Sequence, residues 1–358
     1  MAGSLTPVRS AWMAWGVFAV VIAVAVVADP MGRSVTPNYF RACRNWFGGL
    51  PLYEEGPHGF LYLPQAALLF APFAYLPSPW GELAWRAAGM SALIAAMWRL
   101  ALLLGQRRKA AVFLLATLTA IPPALASARN GQMNLLLASL TALAFVALAA
   151  RQRRAAAAWL CLGLALKPLM AFPMMVAAAV DRRIIPTLAT GLLIVVAAPF
   201  LLHDPHYVWQ QYGACLSKLC RAGAPGAANP HADLFGMLAA TGITMPMYLQ
   251  PAIRALVAMV AICLCHAARR HMSAARAGVY VLTLTCGCLA LINPRMENNG
   301  YVVLAPALAG LAVLAWTRLP RRLASGFLVA TAAVGIAGSY ELTRGPNFWL
   351  CPAFTSCV

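Results

Sequence analysis

DPMGRSVTPNYFRACRNWFGGLPLYEEGPHGFLYLPQAALLFAPFAYLPSPWGELAW, residues 29–85, lies between the first long apolar run of the chain and the next. It is far longer than an ordinary connection. Four of only nine acidic residues in the sequence stand in it, among them Asp29, Glu54 and Glu55. So do Tyr39, Tyr53, Tyr62, Trp46 and Trp80, aromatics suited to the boundary between water and lipid. Tyr62–Tyr75 is apolar but broken by Pro64 and Pro72. As a helix it would rise about 21 Å, short of the roughly 30 Å hydrocarbon core of a bilayer. It reads as a helix lying in the interface beneath a polar loop, and 29–83 as one external loop.

The rest of the chain gives that loop a membrane to stand on. Of 358 residues, 62% are hydrophobic and only 10% charged, well beyond the apolar share of a soluble domain. Several runs have the length of a membrane span. The predicted fold is all-α: one polytopic helical membrane domain over residues 1–358.

A net charge of +18 raises nucleic acid as a partner, and placement decides against it. The basic residues cluster in short gaps between apolar runs: Arg107, Arg108 and Lys109; Arg151, Arg153 and Arg154; Arg182 and Arg183; Arg269, Arg270 and Arg276; Arg318, Arg321 and Arg322. Short basic gaps mark the cytoplasmic side. Topology accounts for the charge.

These gaps set the order of the spans. Ala11–Ala28 leaves the cytoplasm, Ala84–Leu104 returns, Ala110–Ala126 goes out, and Leu135–Ala150 comes back. Two basic clusters then enclose Ala155–Val180, too short for two full crossings of about 20 residues each. Two half-crossing helices meeting at Lys167-Pro168 are predicted there. Ile184–Leu202 leads to a second external loop, 203–246. Gln250–His266, Ala277–Ile292, Tyr301–Trp316 and Leu323–Tyr340 complete about eleven crossings, with the amino end inside and the carboxyl end outside. Cys215 with Cys220, and Cys351 with Cys357, are external and close enough for local bridges, though spacing alone does not fix the pairing.

No phosphate-binding glycine loop, HExxH or GxSxG segment is present, which argues against ATP-driven work, a common metalloprotease and an α/β-hydrolase. No histidine pair has metal-ligand spacing on a helix face, and no metal is expected. What remains is a set of polar residues at the outer ends of spans. Lys167 is the most expensive of them: a mid-membrane lysine costs about 2.5–3.5 kcal/mol on insertion scales. With Arg295 and Arg129 it would bind a lipid-borne phosphate, since guanidinium groups match phosphate oxygens in pairs. Asp29, Glu54 and Glu55 are the candidate bases. Asn130, Gln132, Asn134, Glu297 and Asn298 are candidate sugar ligands.

In order and spacing, these pieces resemble the GT-C class of integral-membrane glycosyltransferases, and within it family 87, the polyprenol-phosphate-mannose-dependent α-mannosyltransferases. The resemblance is carried by NYFRACRNWFGGLPLYEE with GFLYLPQAALLFAPFAYLP, then RNGQMNLLLASL, LGLALKPLMAFPMM, HDPHYVWQQY and INPRMENNGYVVLAPAL. It implies a polyprenyl-phosphate sugar donor, a lipid or glycan acceptor, and an active site on the extracytoplasmic face of a (bacterial inner) cell membrane. Transfer would invert the anomeric centre in one displacement, and an already activated donor needs no cofactor. Such enzymes place an aspartate a few residues before an aromatic pair in the first external loop. Here the pair is Tyr39-Phe40, Val35 holds that place, and Asp29 lies six residues earlier. The family's histidine near the last external loop also has no match in NPRMENN. A lipid-linked-sugar transporter would use the same intramembrane lysine without forming a bond, and the displaced aspartate leaves open a family member without activity that serves as a partner subunit.

Overall fold

The computed structural model describes residues 5–30, 32–56, 58–105, 108–222, 233–294 and 296–337. Among them every regular element is helical. The first helix shows why. α1 (Leu5–Ala28) places Ala11, Trp15, Phe18, Ile22 and Val26 on one face at three- and four-residue spacing, and all five are buried. Trp12, Met13, Val17, Val20, Val24 and Val27 are exposed, an uncovered apolar face of the kind lipid covers.

Seven helical segments among the described residues are long and apolar enough to cross a membrane: Thr6–Ala28, Trp80–Leu104, Lys109–Asn130, Arg182–Leu201, Leu249–His271, Ala274–Ile292 and Asn299–Arg318. The protein is a polytopic helical membrane protein. The other four of the eleven expected crossings are shorter, and two of them are the expected half-crossing pair. All eleven apolar runs are helical, but Met133–Ala149, Arg153–Leu166, Ala171–Val180 and Arg321–Ala337 have 17 residues or fewer.

The shortness of one of these has a clear reason. In chain order, α5 (Trp80–Leu104) and α6 (Lys109–Asn130) lead into α7 (Met133–Ala149). Nearly every residue of α7 is buried, because α5, α8 (Arg153–Leu166), α14 (Ala274–Ile292) and α15 (Ala305–Arg318) surround it. A helix that is apolar on all sides belongs in the interior. Ser139 and Thr141 satisfy their hydroxyls on the carbonyls of Leu135 and Leu137, each at 2.8 Å. α7 is the axis of the bundle and need not reach both membrane surfaces.

The pair of half-helices is present. α8 ends at Leu166, Lys167 is extended (φ −151, ψ 130), and Pro168–Met170 makes a 3₁₀ turn before α9 (Ala171–Val180). Pro168 disfavours the helical region for the residue before it, which stops α8 there. At the base of the pair Arg153 Nε meets Asp181 Oδ2 at 2.7 Å, so chain entry and return lie together at the basic end. Lys167 sits at the tip, about 20 Å of helix away.

The long loop differs from expectation. The polar stretch after Asp29 folds as a helix, α2 (Thr36–Phe47), which buries Tyr39, Phe40, Cys43 and Trp46. Tyr62–Tyr75 is not one interfacial helix but two short ones, α3 (Pro64–Leu69) and α4 (Ala71–Ala74), parted at Phe70. Each begins at a proline-bearing first turn, where the missing N–H costs nothing. Gln65, Ala66, Ala67, Phe70 and Ala74 are buried against the bundle and α2.

The second long loop also carries helices, α11 (Pro205–Ala222) and α12 (Leu234–Ala240). α11 closes over the first loop. Tyr207 Oη donates to Leu50 O at 2.7 Å, and the Leu52 amide donates to Gln211 Oε1 at 3.0 Å. The fully buried Lys218 ammonium donates to Glu54 O and Gly56 O, both at 2.7 Å. Cys215 and Cys220 are unbridged: on α11 they face different ways, the first buried and the second exposed. Cys351 and Cys357 lie outside the described residues.

Candidate functional site

The tight turn from α6 into α7 brings the polar residues of RNGQMN to the head of the central helix. Gly131 caps α6 in the left-handed region at φ 65. A Cβ there would stand 2.6 Å from Thr36 Cγ2 and 3.2 Å from Arg86 Cζ, so the position requires glycine twice over.

What crowds this glycine is a buried ion pair. Glu82 and Arg86 lie one turn apart on α5, 4% and 2% exposed, with Arg86 Nη1 on Glu82 Oε2. Every direction is satisfied. Ser34 Oγ donates to Glu82 Oε2 at 3.0 Å and Thr36 Oγ1 donates to Oε1. Arg86 Nε and Nη2 reach the Arg129 carbonyl at 2.9 and 2.7 Å, and Nη2 also reaches Ser34 Oγ at 3.1 Å. Trp85 Nε1 donates to Gly131 O at 2.7 Å, and the Val35 amide to Asn130 O at 3.0 Å. One ion pair thus joins the start of the long loop, α5 and the α6–α7 turn. A satisfied buried pair of this kind fixes geometry more than it adds stability.

Beyond the turn runs a row of hydrogen bonds. Lys167 Nζ donates to Asn134 Oδ1 at 2.7 Å. Asn134 Nδ2 donates to Gln132 Oε1 at 3.3 Å. Gln132 Nε2 donates to Glu297 Oε2, again at 3.3 Å. An ammonium and a carboxylate therefore stand at the two ends of a pair of amides. Glu297 is exposed and immediately precedes the 3₁₀ segment Asn298–Leu304. Gly300 lets this segment approach: a Cβ would stand 2.9 Å from Met296 Sδ and 3.7 Å from Asn134 Nδ2.

Tyrosines hold the row from the loop side. Tyr39 Oη pairs with Tyr62 Oη at 2.8 Å and accepts from the Met133 amide at 3.4 Å. Tyr53 Oη donates to Tyr62 O at 2.7 Å, and Lys167 Nζ lies 5.8 Å from the centre of the Tyr62 ring. Burial pushes the Tyr39 phenol up to about 12, and the nearby Glu297 charge acts the same way. Tyr39 is thus a neutral hydroxyl at physiological pH. Beneath the row is a narrow crevice lined by Asn134, Leu137, Leu169, Leu289, Asn293, Met296, Gly300 and Val303, with room for about one water molecule.

The expected site residues divide sharply. Lys167, Asn134, Gln132 and Glu297 come together. Asn130 flanks them, its side-chain oxygen buried without a partner among the described residues. Arg129 is buried in the turn at 7% exposure. Of the three carboxylates expected to act as bases, two have partners of their own and one is exposed. Asp29 Oδ1 accepts from the Gly32 amide at 2.8 Å, within its own turn. Glu54 pairs with Arg41 at 3.0 Å, both about half exposed, and Glu55 is exposed. Arg295 lies outside the described residues, and of Asn298 only the backbone is described. The Glu82–Arg86 pair escaped sequence reading, although its four-residue spacing on a helix was a usable signal.

Among known proteins, the sequence profile of glycosyltransferase family 87 matches residues 60–294, well over half of the chain. No curated protein and no solved structure matches it.

Proposed function

The chain belongs to glycosyltransferase family 87, and from that premise we propose that it moves a sugar, mannose or another hexose or pentose, from a polyprenyl-phosphate donor to a lipid or glycan acceptor. The observation that carries the reading is the Lys167 ammonium, held by Asn134 at the head of a buried helix and set on a break between two half-crossing helices. A cation there costs too much to be idle. Lys167 is half-buried rather than sealed in the bundle, and a phosphate whose polyprenyl tail lay between helices would meet it there. The amino end of α7 adds a favourable dipole for the same anion.

In this reading the acceptor oxygen attacks the anomeric carbon from the side opposite the phosphate, and the product is inverted. Lys167 stabilises the phosphate as the C–O bond breaks, with the charge of Arg295 and Arg129 in support. Asn134 and Gln132 take sugar hydroxyls, and Asn130 flanks them. The crevice must widen to admit the sugar. The loops bearing this site lie at the end of the bundle away from the basic gaps, which supports an active site on the extracytoplasmic side of a cell membrane.

The test uses purified protein in liposomes with a labelled polyprenyl-phosphate sugar. Wild type transfers the label without nucleotide or metal. Lys167→Ala lowers turnover by about 100-fold or more, the usual cost of losing one donor to a developing anion. Asn134→Ala is also impaired. Wild-type turnover in both variants, or lipid scrambling with no bond formed, would contradict the proposal.

A further inference from the structure

Transfer to a hydroxyl requires a group that takes its proton. In the long loop Asp29 accepts from Gly32 within a turn, Glu54 pairs with Arg41, Glu55 is exposed, and Glu82 is sealed against Arg86. One carboxylate is tied into the row that begins at Lys167. Glu297 accepts from Gln132, which accepts from Asn134, which accepts from Lys167, over 3.3, 3.3 and 2.7 Å. The two charges sit at opposite ends of this row, with two neutral amides between them.

That arrangement has the polarity an inverting displacement needs. The leaving group and the base act on opposite faces of the sugar, and the acceptor enters between the sugar and the base. A sugar lying along Asn134 and Gln132, with its phosphate at Lys167, would present its far face toward Glu297. Glu297 is exposed, so an acceptor can reach it. Its backbone is anchored on both sides. The Met296 side chain is buried, the Met296 amide donates to Asn293 O at 3.1 Å, and the Gly300 amide donates to Glu297 O at 2.8 Å.

Resting on the glycosyltransfer reading above, we propose that Glu297 is the general base. Its carboxylate takes the proton of the acceptor hydroxyl as the acceptor oxygen bonds to the anomeric carbon. The bond from that carbon to the phosphate oxygen breaks, and its electron pair leaves with the polyprenyl phosphate at Lys167. The carboxylic acid then returns its proton to water. No oxidant, metal or further reactant enters.

The experiment compares wild type, Glu297→Gln and Glu297→Asp in liposomes, with polyprenyl-phosphate mannose as donor. Octyl mannoside and water are the hydroxyl acceptors, and sodium azide is an acceptor that has no proton to lose. The proposal expects Glu297→Gln to lose transfer to both hydroxyls by about 100-fold or more, the scale of general-base catalysis. Formation of the inverted mannosyl azide stays within about threefold of wild type, and Glu297→Asp recovers part of the hydroxyl transfer. Two results overturn it: hydroxyl transfer that survives in Glu297→Gln, or azide and hydroxyl transfer falling together, as they would if Glu297 only held Gln132. If wild type uses none of the three acceptors, the glycosyltransfer reading itself fails and the base assignment goes with it.

Discussion

Glu82 and Arg86 decide where Gln132 and Asn134 stand, although neither belongs to the row. Their charges are nearly sealed from solvent, and each is held by hydroxyls or carbonyls of the long loop and the α6–α7 turn. Breaking a buried pair leaves an unmatched charge, which costs about 3–5 kcal/mol, while removing both partners together can be nearly neutral. Detergent melting of Glu82→Met, Arg86→Met and the double variant should therefore show both single variants well below wild type and the double variant above either. Additive losses would mean that the pair is not a unit. In the sequence, Lys167 stood out because a lysine inside an apolar run has one plain cost. Glu82 did not, because an acid in the first turn of a helix has an ordinary explanation in the helix dipole. Nor could any local pattern bring Glu297 to Gln132, 165 positions away.

The half-helix pair could be read from the sequence because three local signals agreed: two basic gaps, a segment too short for two crossings, and Lys-Pro in its middle. α2 and α11 were missed for the opposite reason. Both mix charges with aromatics and prolines, and each is stabilised by a partner distant in sequence rather than by its own pattern. Lys218 is the clearest case. It contributes two hydrogen bonds of a charged donor to the backbone of the first loop, each worth about 1.5–3 kcal/mol. Lys218→Met should loosen α11 from that loop. Hydrogen exchange at the Leu52 amide, which donates to Gln211, should speed up by about tenfold or more while α7 amides stay protected. Unchanged exchange at Leu52 would show that the loop is held without α11.

Across the whole molecule, the arrangement is a buried apolar axis, α7, whose head carries amides at the end of the bundle where the long loops fold over it. Peripheral helices present apolar faces outward and screen α7 from lipid and water. The half-helix pair delivers one cation to the same head. The all-helical membrane fold followed from composition and span length alone. The site did not, because it is assembled from four separate segments: 39–62, 132–134, 167 and 297. In the proposed reaction Lys167 recognises phosphate on a lipid, and binding tests this without any knowledge of sugar or acceptor. Fluorescent polyprenyl phosphate should bind wild-type protein in nanodiscs and be displaced by unlabelled polyprenyl phosphate but not by the corresponding polyprenol, and Lys167→Met should weaken binding by about tenfold or more. Equal displacement by the alcohol, or unchanged affinity in Lys167→Met, would contradict the account.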